Sequence, residues 1–572
     1  MNFSETIQKR INDWLDGPYD EELKEEIRKT IIENPEEAKD AFYTDLDFGT
    51  GGLRGIMGPG PNRMNKYTDG AATQGLANYI MQEQGDHSVA IAYDCRNNSR
   101  YFAQIAADVL SANGIKVYLF DELRPTPELS FAVRHYHCSA GIVITASHNP
   151  KEYNGYKVYW NDGAQLVPPH DKNVIDNVRQ INSPDKINFS TQRELIEVLG
   201  KDTDELYLQA LLQVRISEEE ISRQKDMGIV YTPLHGTGVK MLPAALRKFG
   251  FKNIINVPEQ DITDGNFPTV KSPNPEEPTA FEMALAKARE TNANIILATD
   301  PDSDRIALGV KLKDGSYKLL NGNQTACILG EYTLSMRQSA GTLPEKRFMV
   351  KTIVTTDLFS DIARNYNTEC FEVLTGFKYI AELIRKNEGK AKYLGGGEES
   401  YGYLGDDFIR DKDALMSACQ IAEIAAWTAN QGMNLYEYLE SIYRKYGYYS
   451  ESLISITKKG ISGKEEIQKL MSGYRENPPK TINGIELVEI RDYQKLEKHN
   501  ILTGKTEKID LPESNVLQFV LSDKSKITVR PSGTEPKIKF YFSVFFDKYM
   551  ESTDKEASEK LSRLESYFHI EN

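Results

Sequence analysis

The chain is poor in cysteine. Five residues, at 95, 138, 327, 370 and 419, are scattered over 572. Their number is odd and no C-x-x-C pair occurs, which excludes a disulfide framework or a zinc ribbon. They read as small core residues of a chain kept in a reducing, cytoplasmic compartment. Long apolar runs are also missing. None approaches the roughly 18 residues of a membrane span. The N-terminus lacks a charged segment followed by an apolar one, so no secretory leader is expected. Ile7, Ile11, Trp14 and Leu15 instead fit one face of an amphipathic helix. A basic excess is absent too. Lys and Arg number 69 against 84 Asp and Glu, a formal net charge of −15. That argues against a nucleic-acid partner. It also repels an anionic substrate, so any anion site must be focused from a few basic residues. Nucleotide signatures fail as well. Phe48-Gly49-Thr50-Gly51-Gly52-Leu53-Arg54-Gly55 does not match G-x-x-x-x-G-K-[ST]. Counted from Gly49, Arg54 stands where G-x-G-x-x-G needs its last glycine.

What is present is length and a recurring order of elements. At about 150 residues per domain the chain holds three or four domains. Ser88–Tyr93 reads as a strand, a helix follows near 100–113, Gly114 stands at its C-cap, and Lys116–Phe120 returns as a strand. The order repeats at 229–257 and again at 349–373. Strands alternating with helices imply right-handed βαβ units and mixed, mainly parallel sheets, hence three related α/β domains. After about Tyr446 the texture turns strand-rich and polar. Strands are expected at 515–521, 527–529 and 538–546, and a last helix near 555–566, which describes a smaller α+β domain. The polar stretch 473–514, with Pro478-Pro479, reads as an insertion or loop.

Four motifs carry chemistry. Asp300-Pro301-Asp302-Ser303-Asp304-Arg305 follows the apolar run 295–299, at the carboxyl end of a strand, where α/β sheets place ligands. Three aspartates at i, i+2 and i+4 can converge on one hard cation. An EF-hand is disfavoured, because loop positions 6 and 12 are Arg305 and Lys311 rather than Gly and Glu. Too few oxygens are present for a calcium cage, so Mg²⁺ with an outside phosphate ligand fits better. Thr145-Ala146-Ser147-His148-Asn149-Pro150 also leaves a strand. A Ser147–His148 dyad is not expected, since adjacent side chains point apart in extended chain, and no G-x-S-x-G elbow surrounds the serine. Arg530-Pro531-Ser532-Gly533-Thr534-Glu535-Pro536-Lys537 combines a guanidinium, two hydroxyls, a free backbone and an ammonium, as an oxyanion cradle requires. In Gly395-Gly396-Gly397-Glu398-Glu399-Ser400-Tyr401-Gly402, Glu398 and Ser400 can point the same way and grip sugar hydroxyls. Cys95, in Asp94-Cys95-Arg96, lies near a strand end beside these loops.

Together and in this order, the motifs TASHNP, DPDSDR, GEESYG and RPSGTE resemble the α-D-phosphohexomutase superfamily over about residues 45–545. FGTGGLRG and the long N-terminal extension look most like its larger phosphoglucomutase/phosphopentomutase branch. The resemblance implies four domains around a central cleft. Their expected limits are 1–212 (an N-terminal extension and the phosphoserine loop), 213–325 (the metal loop), 326–447 (the sugar loop) and 448–572 (the phosphate loop). Ser147 resembles the serine that carries the phosphoryl group and contributes a phosphate oxygen to the metal. Asp300, Asp302 and Asp304 resemble the Mg²⁺ ligands. Arg54 and Arg305 match residues that hold the transferring phosphate, and His148 and Lys157 line the same centre. Thr375, Gly376, Glu398 and Ser400 match the sugar-binding segments. Arg530, Ser532, Gly533 and Thr534 match the grip on the other phosphate, with Lys537 a looser extension. The stretch GEESYG lacks the histidine of dual-specific members. Arg410-Asp411-Lys412-Asp413 fits the R-x-K-D of glucose-type members, which makes Lys412 a candidate proton carrier.

The implied reaction interconverts glucose 1-phosphate and glucose 6-phosphate through a phosphoserine enzyme, with glucose 1,6-bisphosphate as intermediate and activator. Lys157, His148 and Lys412 are the candidate bases. Phosphopentomutase, phosphomannomutase and sugar-bisphosphate synthase are the alternatives within the family. A serine/metal phosphatase and a silent phosphosugar-binding relative are those outside it. The expected partner is a phosphosugar, with neither nucleic acid nor membrane.

Overall fold

The computed structural model describes residues 3–49, 51–85, 87–458, 460–532 and 537–568. The chain divides into two compact units. The first comprises Met1–Thr325, Phe377–Gly395 and Ser400–Asn434; the second comprises Ala326–Gly376, Gly396–Glu399 and Leu435–Asn572. No helix among the described residues is long and apolar enough to cross a membrane.

The first unit opens with three helices, Glu5–Asp16, Glu21–Glu33 and Pro35–Tyr43. The expected amphipathic face is there: Ile7, Ile11 and Trp14 are buried with Ile27 and Phe42. A six-stranded sheet follows, in the order Gly52–Ile56, Tyr153–Trp160, Ala140–Ile144, Ser88–Tyr93, Lys116–Phe120, Ile196–Leu199. Ser88–Tyr93 runs parallel to both of its neighbours, and Tyr153–Trp160 turns back antiparallel. Alternate side chains supply opposite faces, as the two-residue strand period requires. Val89, Ile91, Ile142 and Ile144 pack with Phe102, Ala106 and Leu110 of the helix Ser99–Ala112. Ala90, Ala92 and Val143 pack on the other side with Leu129, Ala132 and Val133 of the helix Thr126–His135. Burial on both faces explains why these strands read as unbroken apolar runs. A second, five-stranded sheet has the order Tyr317–Leu320, Ile306–Lys311, Ile295–Thr299, Ile229–Thr232, Ile254–Asn256, with parallel pairing around Ile229–Thr232. Ile144, Tyr93 and Thr299 each end a strand on the same kind of edge, and the chemistry-bearing loops start there.

In the second unit, Arg347–Thr352 pairs parallel with Glu369–Val373, and the helix Asp357–Asn365 joins them, capped by the Thr356 side chain. The C-terminal part is antiparallel. Tyr448–Thr457, Lys537–Phe546, Lys526–Pro531, Leu517–Leu521 and Ile485–Asp492 lie side by side, and the helix Thr553–Tyr567 covers them through Leu561 and Leu564.

The stretch 473–514 is a correction. It is not a loop: after the helix Gly460–Glu476 it contributes strands Thr481–Ile482, Ile485–Asp492, Glu497–Asn500 and Thr506–Lys508. Its polarity belongs to a sheet with one wet face. Leu487 is buried while its neighbours reach solvent. The hairpin turns on Asn483-Gly484, with φ of 49° and 80°, the pair of left-handed residues that a tight hairpin needs.

Candidate active site

In the first unit two loops meet. The serine loop leaves Ile144, and its shape is imposed by Asp94 and Arg96 at the end of the neighbouring strand. Asp94 accepts hydrogen bonds from Thr145 Oγ1 and Ser99 Oγ, both at 2.6 Å, and from the Arg96 amide at 2.9 Å. Arg96 is fully buried. Its guanidinium donates to the carbonyls of Ser147 (2.6 Å), Asn149, Pro150 (2.9 Å) and Tyr153 (3.0 Å). Thr145 Oγ1 in turn accepts the Ser147 amide at 2.8 Å. Ser147 is thereby held at φ 51°, a left-handed conformation that is uncommon for a non-glycine residue and is kept only by over-determining contacts.

That conformation corrects the expectation against a Ser147–His148 pair. The argument assumed extended chain. With Ser147 left-handed, Ser147 Oγ lies 3.2 Å from His148 Nδ1 and donates to Asp300 Oδ2 at 2.7 Å. Burial, with Arg305 and Arg54 nearby, pushes the His148 pKa well below the usual range. The ring is therefore held neutral near pH 7.

The aspartate loop leaves Thr299. Asp300, Asp302 and Asp304 are all buried, and one oxygen from each lies within 4.8 Å of the others. Asp300 Oδ1 accepts the amides of Asp304 (3.2 Å) and Arg305 (3.0 Å), which curls the loop around it. Lys157 donates to Asp302 Oδ2 at 2.7 Å and Asp304 Oδ2 at 3.4 Å. Lys412 lies 3.1 Å from Asp304 Oδ2 and 3.2 Å from Asp411 Oδ1. Burial works against charge at Asp302, but Lys157 overrides it and holds the carboxyl well below the usual range. At Lys157 burial is likewise overridden, by Asp302 and Asp304, so the ammonium is held charged. Asp300 goes the other way: burial and its two carboxylate neighbours push its pKa well up. Asp302 Oδ1 and Asp304 Oδ1 are buried without a hydrogen-bond partner. Orphaned buried acceptors cost about 1–3 kcal/mol each, more when charged. Three converging carboxylates with two orphaned oxygens fit a hard dication.

Arg305 pairs with Glu276 at 2.6 Å. Arg54 reaches solvent from Gly52–Ile56, opposite Gly155, with Asp302, Arg305 and Arg96 as charged neighbours. Ser147, His148, Lys157, Asp300, Asp302, Asp304, Arg305, Arg54 and Lys412 thus fall in one unit. Ser400, half-buried, belongs to it too.

The second unit carries the other expected residues. Glu398 Oε1 accepts the Gly376 amide at 2.9 Å, which ties the Thr375-Gly376 turn to the glutamate. Arg530 lies near the end of the strand Lys526–Pro531, and the Ser532 amide donates to the Lys537 carbonyl at 2.7 Å. Gly533 and Thr534 lie outside the described residues.

Several residues were missed. Asp94 and Arg96 could have been found, because Asp94-Cys95-Arg96 follows a buried strand as the two recognised loops do. Burial pushes the Cys95 thiol far up. Thr126, whose amide and Oγ1 bind the Asp302 carbonyl (2.9 Å) and Oδ2 (3.0 Å), left no such signal. Nor did Tyr159 and Gln165, which hold Asp411 at 2.6 and 3.0 Å.

Comparison with known proteins agrees with this fold. Models of the phosphoglucomutase/phosphomannomutase α/β/α domains I, II and III match residues 45–185, 205–313 and 321–446. A phosphoglucomutase of Staphylococcus haemolyticus (strain JCSC1435) is 39% identical over 89% of this chain and 92% of its own. One from Staphylococcus aureus (strain MRSA252) is 38% identical over 89% and 91%. Among solved structures, a phosphoglucomutase/phosphomannomutase family protein from Burkholderia thailandensis covers 91% of this chain and 98% of its own, at TM-score 0.66 and 18% identity. The open form of the Paramecium phosphoprotein pp63/parafusin, a phosphoglucomutase, covers 92% and 95% at TM-score 0.67 and 16% identity, a likeness of fold. Three α/β domains with mixed sheets, a smaller sheet-rich C-terminal part and identity sustained over nine-tenths of the length lead to one conclusion: the chain belongs to the phosphoglucomutase/phosphomannomutase family.

Proposed function

We propose that the protein is a phosphoglucomutase that interconverts glucose 1-phosphate and glucose 6-phosphate through phosphorylated Ser147 and glucose 1,6-bisphosphate. The observation that carries this reading is the 38–39% identity, over 89% of the chain, to relatives named phosphoglucomutase. The domain limits 1–212, 213–325, 326–447 and 448–572 go with it as working limits.

Phosphorylated Ser147 gives its phosphoryl group to the 6-hydroxyl of glucose 1-phosphate. The bond from phosphorus to Ser147 Oγ breaks as a bond to the sugar oxygen forms, and the 6-hydroxyl proton passes by way of His148 Nδ1 to Ser147 Oγ. In the return step the 1-phosphate passes to Ser147 Oγ, and the serine proton leaves for His148 Nδ1 and then for the departing sugar oxygen. His148 suits this because it is held neutral beside Oγ. Asp300, Asp302 and Asp304 would hold a magnesium ion, which supplies positive charge to the transferring oxygens. Lys157 and Lys412, ion-paired with these carboxylates, are charge carriers rather than free bases. Arg54 and Arg305 steady the transferring group. Thr375, Gly376, Glu398 and Ser400 grip sugar hydroxyls, while Arg530, Ser532, Gly533, Thr534 and Lys537 hold the phosphate that stays.

The test uses the purified chain with Mg²⁺ and a glucose 1,6-bisphosphate primer. Glucose 6-phosphate formation and inorganic phosphate release are followed together. The mutase reading expects turnover without phosphate release, abolished by Ser147→Ala. Stoichiometric phosphate release would make it a phosphatase instead.

A further inference from the structure

The second unit contains an ionic group, built around two buried lysines, that no step above uses. Lys351, on the strand Arg347–Thr352, is fully buried. Its ammonium donates to Asp357 Oδ1 at 2.9 Å and to the Thr355 carbonyl at 3.2 Å, and it pairs with Glu372 at 2.7 Å. Asp357 opens the helix Asp357–Asn365 and also takes Lys526, 3.0 Å to each oxygen. Lys526 starts the strand that ends in Arg530 and Pro531.

Two sets of bonds leave this group. One runs to the sugar loop. Thr352 Oγ1 and Thr355 Oγ1 bond each other at 2.8 Å. Thr355 Oγ1 lies 3.3 Å from the Gly397 carbonyl and Thr352 Oγ1 3.3 Å from Glu399 Oε2, and whichever hydroxyl accepts from its neighbour donates to one of these. These contacts flank Glu398 on either side. The other set runs to the phosphate strand. Lys526, Thr528 and Arg530 alternate along it and so share a face. Besides the Lys526–Asp357 pair, Gln518 donates to Thr528 Oγ1 at 2.9 Å and to the Ile353 carbonyl at 2.8 Å. The face that carries Arg530 is therefore fastened to residues 353–357 at two points, and residues 352–355 are fastened to the loop that carries Glu398.

We infer that Asp357, with Lys351 and Lys526, is a positioning residue that sets the distance between the sugar-hydroxyl loop and the phosphate loop, and so selects for the length of a hexose phosphate. The inference rests on the sugar and phosphate roles proposed above. A carboxylate shared by two buried ammoniums is a stiff joint: removing Asp357 takes from the buried Lys526 ammonium the carboxylate it is paired with. Loosening the joint lets the two loops drift, which weakens binding of a ligand that spans both and penalises a shorter one less.

The experiment measures KM and kcat for glucose 1-phosphate and ribose 1-phosphate, in the full chain, for Asp357→Asn and Lys526→Met. Thermal unfolding verifies that each variant is folded. The expected result is a rise of about tenfold in KM for glucose 1-phosphate, a kcat within about twofold of wild type, and a smaller glucose-to-ribose ratio of kcat/KM. The double variant is no worse than the worse single, because both remove one pair. Asp357→Glu, whose side chain has room at a position 39% exposed, retains the wild-type ratio. If Asp357→Asn does not fold, Lys526→Met decides. Wild-type KM and an unchanged ratio in the folded variants, or a loss confined to kcat, would overturn the inference. Arg530→Ala and Glu398→Gln separate the two levels. If they raise KM and the Asp357 and Lys526 variants do not, the positioning role alone is wrong. If they leave KM unchanged, the loop assignments fail and the inference falls with them.

Discussion

Replacing Arg96 with lysine separates charge from geometry at the serine loop. Lysine keeps the positive charge beside Asp94 but loses the planar fork that reaches four carbonyls. An ammonium has three donors on a flexible stem. With one spent on Asp94, at least two of the four carbonyls lose their partner. At about 1–3 kcal/mol for each buried orphan, the loss is on the order of 2–6 kcal/mol. It falls mainly on residues 145–153, because the strands on either side keep their ladders. Ser147 is then no longer held at φ 51°. A displacement of about 1 Å at a reacting atom costs about 10²-fold in rate. Arg96→Lys is thus expected to lower kcat/KM by about two orders of magnitude and to speed amide hydrogen exchange in 145–153 ahead of the rest of the first unit. Steady-state kinetics and exchange mass spectrometry measure the two. A variant with wild-type kcat/KM and unchanged exchange in that segment would refute the reasoning.

Three further outcomes are expected. If the orphaned oxygens of Asp302 and Asp304 hold a cation, chelation should lower the thermal midpoint, and added Mg²⁺ should restore it in the wild type but not in Asp304→Asn; scanning calorimetry reads both shifts. Asp413 is fully buried, and burial pushes its carboxyl up to about 6 from an ordinary 3.8, so the native state keeps a proton that the unfolded chain gives up near pH 4. Its contribution is therefore present below about pH 4 and is lost as pH rises to about 6, by about 3 kcal/mol; the stability difference between wild type and Asp413→Asn should fall by that amount across this window, and a flat difference would contradict it. Gly484→Ala meets no neighbouring atom but must adopt a φ of 80°, so it should destabilise the C-terminal sheet by about 1–2 kcal/mol in denaturant unfolding and leave turnover untouched.

Much of the site was legible because chemistry concentrates at strand ends. DPDSDR and TASHNP each follow an apolar run, and the structure brings Ser147 within 2.7 Å of Asp300 across 153 positions of sequence. The α/β alternation was legible for the same reason: both faces of these sheets are buried, so strands such as Ala140–Ile144 are uniformly apolar. The rest was hidden by physics that acts locally or between distant residues. The Ser147–His148 contact depends on one left-handed residue, which residue type does not announce. Lys157 looked like a free base because its carboxylate partners lie 145 and 147 positions away. The strands within 473–514 were masked by their wet face, although Asn483-Gly484 marked their turn. The Lys351–Asp357–Lys526 group had no motif to betray it, since each member is an ordinary charged residue until the fold pairs them.

The grip of Arg96 on the serine loop falls entirely on main-chain carbonyls. It is blind to the side chains it encloses. The turn that presents Ser147 can therefore keep its shape while His148, Lys151 and Glu152 are exchanged. The acid–base character around Ser147 Oγ is in that sense a replaceable part mounted on a fixed frame, open to evolutionary drift or deliberate retuning without rebuilding the loop.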